Sequence, residues 1–306
     1  MIAREIKFFL IALGVSLIYF FGINIFYKNM ESFLYAQISQ PLQGISYIQV
    51  PKKEEKLNVE SGAKSATVLK INKVGVEKII FEKEPEKILP IASLTKLMTA
   101  LIVLSDSQNY DLSKTIVVSK EAASQVDVPP EFGNLKEGEE TNIENLLNLM
   151  LVYSSNDAAF ALAEAIGVEN FVSKMNQKSE ELGLKNTHFV NPTGLDPEKI
   201  NFSEESKIFF NYSTCADLIE LSKYILKEFP IIFEISLGES WAPVEKRFPD
   251  LVLNNHLIGL KTGYTDEAGG CLILIREENG SYYLNVILGT ESTEARIQEM
   301  KKLIEG

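Results

Sequence analysis

Ser93-Leu94-Thr95-Lys96 sets a hydroxyl and an amine three positions apart, one helical turn, so that both side chains share a face. A serine hydroxyl is a weak nucleophile until a neighbouring base takes its proton. A lysine can be that base where burial or nearby positive charge lowers its pKa. Spacing alone carries little, because Ser61-Gly62-Ala63-Lys64 repeats it. That copy lies in a glycine-containing lead-in to a strand, where nothing holds the two side chains together. The Ser93 copy follows Pro90-Ile91-Ala92 and opens an apolar helical stretch.

Two further clusters could complete a site. Ser154-Ser155-Asn156 stands at a break between helical segments, where two polar side chains can project into a cleft. Taken alone, Ser154 reads at least as well as an N-cap of the following helix. Ser107-Gln108-Asn109 has the same spacing and reads as the polar end of the helix begun at Ser93. Lys261-Thr262-Gly263 occurs once, at the end of a strand that starts at Leu257. Lys261 and the Thr262 hydroxyl can hold a carboxylate, while Gly263 leaves the strand edge open to substrate. An isolated lysine before a Thr-Gly turn is ordinary; the order and settings of the three clusters lift them above that reading.

The elements that must position these residues follow from periodicity. Ala66 to Ile71 and Val76 to Phe81 are rich in β-branched residues around the turn Asn72-Lys73-Val74-Gly75, which predicts two antiparallel strands. From Ser93 to about Phe233 the pattern is helical, with apolar faces in Leu97 to Leu104, Ile143 to Leu151, Ala158 to Ile166 and Leu218 to Leu226. Strands return at Leu257 to Lys261, Cys271 to Ile275 and Tyr282 to Leu288, the last two joined by the hairpin signal Asn279-Gly280. Ser292 to Ile304 closes the chain as an amphipathic helix with Glu294 and Arg296 on its polar side. The expected fold is α+β: an antiparallel sheet of about five strands formed by the N- and C-terminal strands, flanked by helices, with a mostly helical subdomain inserted.

Phe8 to Phe26 is a nearly unbroken apolar run behind Arg4 and Lys7. It is long enough to span a bilayer, and the basic residues keep the N-terminus cytoplasmic. Residues 1–28 therefore read as an uncleaved transmembrane anchor rather than a removed signal, 29–60 as a juxtamembrane linker, and 61–306 as one extracytoplasmic domain. A formal net charge of −12 argues against nucleic-acid binding. Two cysteines and two histidines, all far apart in sequence, offer no metal-ligand spacing and no disulfide framework.

With these motifs the sequence resembles the penicillin-binding serine D-Ala-D-Ala carboxypeptidases and, more distantly, the class A β-lactamases. The likeness extends to Ala92-Ser93-Leu94-Thr95-Lys96-Leu97-Met98-Thr99-Ala100, Ser155-Asn156-Asp157-Ala158, Phe189-Val190-Asn191-Pro192-Thr193-Gly194-Leu195, Tyr212-Ser213-Thr214 and Gly259-Leu260-Lys261-Thr262-Gly263-Tyr264-Thr265, and covers roughly residues 61 to 306. It implies a membrane-tethered hydrolase of peptidoglycan stem peptides ending in D-Ala-D-Ala, acylated by β-lactams and needing no cofactor. In it Ser93 is the nucleophile, Lys96 its base and Ser154 a proton relay, while Asn156, Lys261, Thr262 and Gly263 bind substrate. The backbone N–H groups of Ser93 and Tyr264 form the oxyanion hole, typically worth about 3 to 4 kcal/mol per donor. Departures are visible: Tyr282 to Leu288 lacks the arginine with which some carboxypeptidases grip the terminal carboxylate, so endopeptidase action stays open. Ser155 and Thr193 stand where glycine and histidine are expected at least as often. A β-lactamase would need a carboxylate in the region of His188 to Thr193, which has none before Asp196, and a non-catalytic muropeptide-binding protein would not need Ser93, Lys96 and Lys261 intact.

Overall fold

The β-branched runs at the two ends of the domain meet in one sheet. The computed structural model describes residues 56–125, 134–196, 210–239, 242–251 and 256–306, which belong to a compact unit, Glu55–Gly306. In chain order its elements are β1 (Ser65–Ile71), β2 (Glu77–Lys83), β3 (Leu89–Pro90), α1 (Thr95–Ser105), β4 (Thr115–Val117), α2 (Lys120–Ala123), β5 (Glu140–Asn142), α3 (Ile143–Val152), α4 (Asn156–Glu164) and α5 (Val168–Glu181). There follow β6 (Tyr212–Ser213), α6 (Cys215–Glu228), α7 (Ile231–Leu237), α8 (Val244–Arg247), β7 (His256–Thr265), β8 (Gly269–Glu278), β9 (Ser281–Thr290) and α9 (Thr293–Glu305). The sheet order is β2-β1-β9-β8-β7, antiparallel throughout, so β7 with its Lys-Thr-Gly is an edge strand. Asn279 and Gly280 both have positive φ, 52° and 70°, as the tight β8–β9 hairpin requires.

Alternation along the strands divides the core in two. Leu272, Leu274 and Ile287 pack with Met300 and Leu303 of α9 on one face. Ile273, Ile275, Val286 and Leu288 join a larger cluster with α1, α3, α4 and α6 on the other. Helix α1 is buried from Thr95 to Val103 on all sides, as a helix without a polar face must be. Each of its leucines contributes about 1.5–3 kcal/mol of apolar burial. Lys96 is carried in that core.

Two expectations need correction, and one helix was not read. Strand β7 does not end at the Lys-Thr-Gly triplet but runs through it to Thr265, because Lys261, Thr262 and Gly263 keep register with Ile273, Leu272 and Cys271. Helix α5 was not singled out from sequence: its buried residues are only Phe171, Met175 and Ser179 among polar neighbours, too sparse an apolar stripe to read. Arg296 is not on a solvent face of α9; it is buried, together with Glu299. Gly270 permits this, since a Cβ there would lie 3.0 Å from Arg296 Cβ and closer still to Thr290 and Ser292. The expected anchor, residues 1–28, and the expected linker up to residue 55 lie outside the described residues. Among the described residues no helix is long and apolar enough to cross a membrane. Leu57 already donates its N–H to the Ile80 carbonyl beside β2.

Candidate active site

Ser93 sits in the short 3-10 turn Ala92–Leu94 that feeds directly into α1, so the one-turn spacing to Lys96 is realised. The turn is tight: Ala92 has φ +45°, an unusual conformation for a residue with a side chain. Two glycines make room for it. A Cβ on Gly194, itself at φ +86°, would lie 2.0 Å from the Ala92 carbonyl oxygen, and a Cβ on Gly263 would lie 3.0 Å from Ser93 N. Gly263 thus does more than leave the strand edge open; it lets β7 press against the Ser93 backbone. The other tetrad behaves differently, since Ser61 Oγ accepts the Ala63 N–H at 3.2 Å in an irregular segment ahead of β1.

Lys96 is fully buried. Its Nζ lies 2.7 Å from Ser93 Oγ, 2.7 Å from Asn156 Oδ1 and 2.6 Å from the Thr193 carbonyl oxygen. Asn156 Oδ1 and the Thr193 carbonyl only accept hydrogen bonds. As a neutral amine, Lys96 would spend both N–H bonds on those two acceptors and leave its lone pair for the Ser93 hydroxyl proton. The loop that presents Thr193 is fixed by Asn191, whose Oδ1 accepts from the N–H groups of Thr193 and Gly194 at 3.1 and 2.7 Å. Buried Asn211 ties that loop to α1 through Thr95 Oγ1 at 2.9 Å.

The turn between α3 and α4 settles the choice left open for Ser154. Ser155 is the N-cap of α4, its Oγ accepting the Ala158 N–H at 3.0 Å and donating to Asp157. Ser154 is free of that task. It adopts φ +64°, which turns its Oγ to within 2.9 Å of Lys261 Nζ. Thr193, the other departure noted in the sequence, acts on Lys96 through its carbonyl. Its hydroxyl stays within the loop, donating to Asn191 Oδ1 and accepting from Leu195 N.

Lys261, 2 % exposed, also donates to the Thr262 carbonyl at 2.9 Å. Burial, then the charges of Lys96, Arg296 and Arg247, hold its pKa well below the ordinary lysine range. Tyr264, three residues beyond Lys261 on β7, is 43 % exposed. Asp196, the first carboxylate after His188, accepts from Thr265 Oγ1 at 2.8 Å, and burial raises its pKa. The structure therefore brings Ser93, Lys96, Ser154, Asn156, Lys261 and Gly263 into one hydrogen-bonded or packed cluster, with Thr262 and Tyr264 on the same edge strand.

Two arginines in the supporting layer escaped the sequence reading. Arg247 donates to the carbonyls of Ala242, Val152, Ser236 and Leu237 at 2.7 to 3.0 Å, and Ser236 Oγ accepts the Leu260 N–H at 3.1 Å. The end of α3, two residues before Ser154, is thereby tied to the residue before Lys261. Arg296 Nη1 donates to the Gly263 carbonyl at 2.7 Å. The available signal was rarity: Arg247 and Arg296 are two of only four arginines in a chain that otherwise uses lysine for positive charge.

Residues 51–292 match the D-alanyl-D-alanine carboxypeptidase family. The chain belongs to that family. It is 33% identical over 263 residues to the D-alanyl-D-alanine carboxypeptidase DacF of Bacillus subtilis, covering 79% of this chain and 61% of that protein. It is 32% identical over 252 residues to a D-alanyl-D-alanine endopeptidase of Pseudomonas aeruginosa, covering 78% of this chain and 74% of that one. Penicillin-binding protein D2 of Listeria monocytogenes, solved with ampicillin bound, superposes with a TM-score of 0.64 at 28% identity, over 81% of this chain and 98% of that one. The chain thus spans about three fifths of the length of DacF and about three quarters of the endopeptidase.

Proposed function

We propose that this protein is a serine-type D-Ala-D-Ala carboxypeptidase that cleaves peptidoglycan stem peptides through an acyl-enzyme and is acylated by β-lactams. The observation that carries this reading is the pair of buried lysines meeting two serine hydroxyls, Lys96 on Ser93 and Lys261 on Ser154, at 2.7 and 2.9 Å.

The geometry supports a complete sequence of proton movements. Lys96 takes the Ser93 proton while Asn156 and Thr193 hold its other two N–H positions, and Ser93 Oγ bonds to the carbonyl carbon of the penultimate residue. The oxyanion that forms accepts hydrogen bonds from the backbone N–H groups of Ser93 and Tyr264. As the C–N bond breaks, Ser154 gives its proton to the departing amine and recovers one from the lysine pair. The proton that Lys96 took from Ser93 returns by this route, which leaves Lys96 neutral for the next step. Water, with Lys96 again as base, then hydrolyses the ester. Lys261 and the Thr262 hydroxyl recruit the substrate's terminal carboxylate, whose charge offsets the repulsion among Lys96, Lys261 and the two arginines.

Two finer points belong to the same proposal. The apolar run at Phe8 to Phe26 would tether the enzyme to the membrane with its domain outside the cytoplasm. Endopeptidase action is a second reading, favoured by the 32% identity to the Pseudomonas enzyme. Asp196 is spent on Thr265, so a water-activating carboxylate of the β-lactamase kind is not supplied there, and slow release of penicillin is expected.

Intact-mass analysis of the full-length chain incubated with penicillin tests the reading. We expect a drug-sized increment located at Ser93, lost in Ser93→Ala and unchanged in Ser61→Ala. An unlabelled wild-type protein overturns the acyl-enzyme. Release of D-alanine from a pentapeptide against cleavage of a cross-linked dimer separates carboxypeptidase from endopeptidase.

A further inference from the structure

Arg296 is buried at the start of α9, and its guanidinium is not neutralised by an ion pair among the described residues. Instead, Nη1 donates to the Gly263 carbonyl at 2.7 Å. Its Nε is buried with no hydrogen-bond partner among the described residues. A buried charge with one bond unmade weakens a fold, so packing alone does not account for an arginine at this position. A methionine would fill similar space without that cost. The fold nevertheless makes room for it, because Gly270 lacks the Cβ that would collide with Thr290, Ser292 and Arg296 itself.

The bond Arg296 makes is informative because of the peptide it touches. The Gly263 carbonyl and the Tyr264 N–H belong to one peptide unit. No peptide bond among the described residues is cis, and across a planar trans peptide the C=O and N–H point in opposite directions. The Gly263 carbonyl is turned inward, to α9. The Tyr264 N–H is therefore turned outward, toward the open edge of β7, where the Ser93 turn packs against Gly263. A charged donor on a carbonyl also polarises the unit and strengthens its N–H as a donor.

We propose that Arg296 is a positioning residue that fixes and polarises the Gly263–Tyr264 peptide, so that the Tyr264 N–H meets the carbonyl oxygen under attack by Ser93. The proposal rests on the acyl-enzyme reading above. It assigns to a buried helix residue a part in stabilising the transition state.

The test compares full-length wild type, Arg296→Met and Arg296→Gln. Stopped-flow acylation by penicillin separates non-covalent binding from the acylation rate. Difference infrared spectra then locate the ester carbonyl of the acyl-enzyme. A wild-type chain that forms no adduct sinks the acyl-enzyme reading before any variant is compared. Given the adduct, Arg296→Met is expected to acylate about 10- to 100-fold more slowly, with non-covalent binding altered less than about 3-fold. Its ester carbonyl band should move to higher wavenumber as the oxyanion donor weakens. If Arg296→Met does not fold, Arg296→Gln, which keeps a donor but loses the charge, is read by the same two measurements with the same direction expected. A folded variant with wild-type acylation overturns the proposal. So does slow acylation with an unmoved carbonyl band, or a loss confined to non-covalent binding, which would mean that Arg296 grips the drug's carboxylate instead.

Discussion

On the helical wall of the site, Lys96, Ser154 and Asn156 are placed by side-chain hydrogen bonds and helix caps, whereas on the sheet wall Lys261 and Gly263 are placed by strand register. The helical wall needs local irregularity: Ala92 at φ +45° and Ser154 at φ +64°, in turns whose serine hydroxyls face Lys96 and Lys261. The sheet wall is regular through Lys-Thr-Gly, and its refinement comes from behind, through Arg296 on Gly263 and Ser236 on Leu260. The helical wall thus stores its function in strained backbone, and the sheet wall stores it in buried charge. The two sides meet at Gly263, where a Cβ would lie 3.0 Å from Ser93 N, and Gly194 crowds the same turn from the loop, where a Cβ would lie 2.0 Å from the Ala92 carbonyl oxygen.

The turn that both glycines crowd is where the largest effect is expected. Gly194→Ala introduces a Cβ 2.0 Å from the Ala92 carbonyl at a φ suited to glycine. We expect a loss of about 2–5 kcal/mol in stability from strain and overlap together, read by urea denaturation. Penicillin acylation of the surviving fold should also be impaired, because relief of the overlap must move the Ser93 turn. Wild-type acylation in a fully stable variant would mean that Gly194 does not hold the Ser93 turn in place.

Charge on the sheet wall gives the next effect, and its sign is opposite for stability and activity. Lys261 is held well below its ordinary pKa of 10.5. The unfolded chain therefore keeps this proton to higher pH than the folded one does, and folding stability rises with pH across that interval. Below the folded pKa the full penalty is present; by about pH 10.5 it has gone. Lys261→Met should accordingly melt at a higher temperature than wild type. The gain should be largest below the folded pKa and fade as the pH is raised toward 10.5, while D-alanine release is lost. A variant destabilised equally at every pH would show that the hydrogen bonds to Ser154 and Thr262, rather than the charge, dominate this lysine.

How much of this was legible in the sequence follows the same division. The strands and the helices with dense apolar stripes were readable, because period 2 and period 3.6 are set by local geometry. Helix α5 was not, since Phe171 and Met175 alone cannot mark a face. The motif residues could be placed on their elements, but the contacts of the supporting layer could not. The Thr193 carbonyl on Lys96, Arg247 on four carbonyls and Arg296 on Gly263 join backbone groups far apart in sequence, and a backbone carbonyl leaves no trace in residue type. Arg296 was assigned to a polar face because helical spacing reports which side a residue is on and not what covers that side. Ser154 was ambiguous with an N-cap for a similar reason: the serine that caps and the serine that points into the cleft are neighbours, and only their φ angles separate them.

The smallest expected effect isolates that ambiguity. Ser154→Gly and Ser154→Ala both remove the hydroxyl that accepts from Lys261 at 2.9 Å, so both should lose acylation by peptide and D-alanine release to the same extent, about 10²- to 10⁴-fold for a lost proton relay. Their stabilities should part company. Alanine keeps a Cβ at φ +64°, whereas glycine accepts that conformation freely, so the glycine variant should be the more stable of the two by about 1 kcal/mol. Differential scanning calorimetry of the two variants reads this directly. Equal stability would mean that the turn relaxes once the hydroxyl is gone, and that the bond to Lys261 is what holds Ser154 in the left-handed region. A glycine advantage would mean that the chain path from α3 to α4 imposes the conformation, with Ser155 capping α4 whether or not its neighbour points at a lysine.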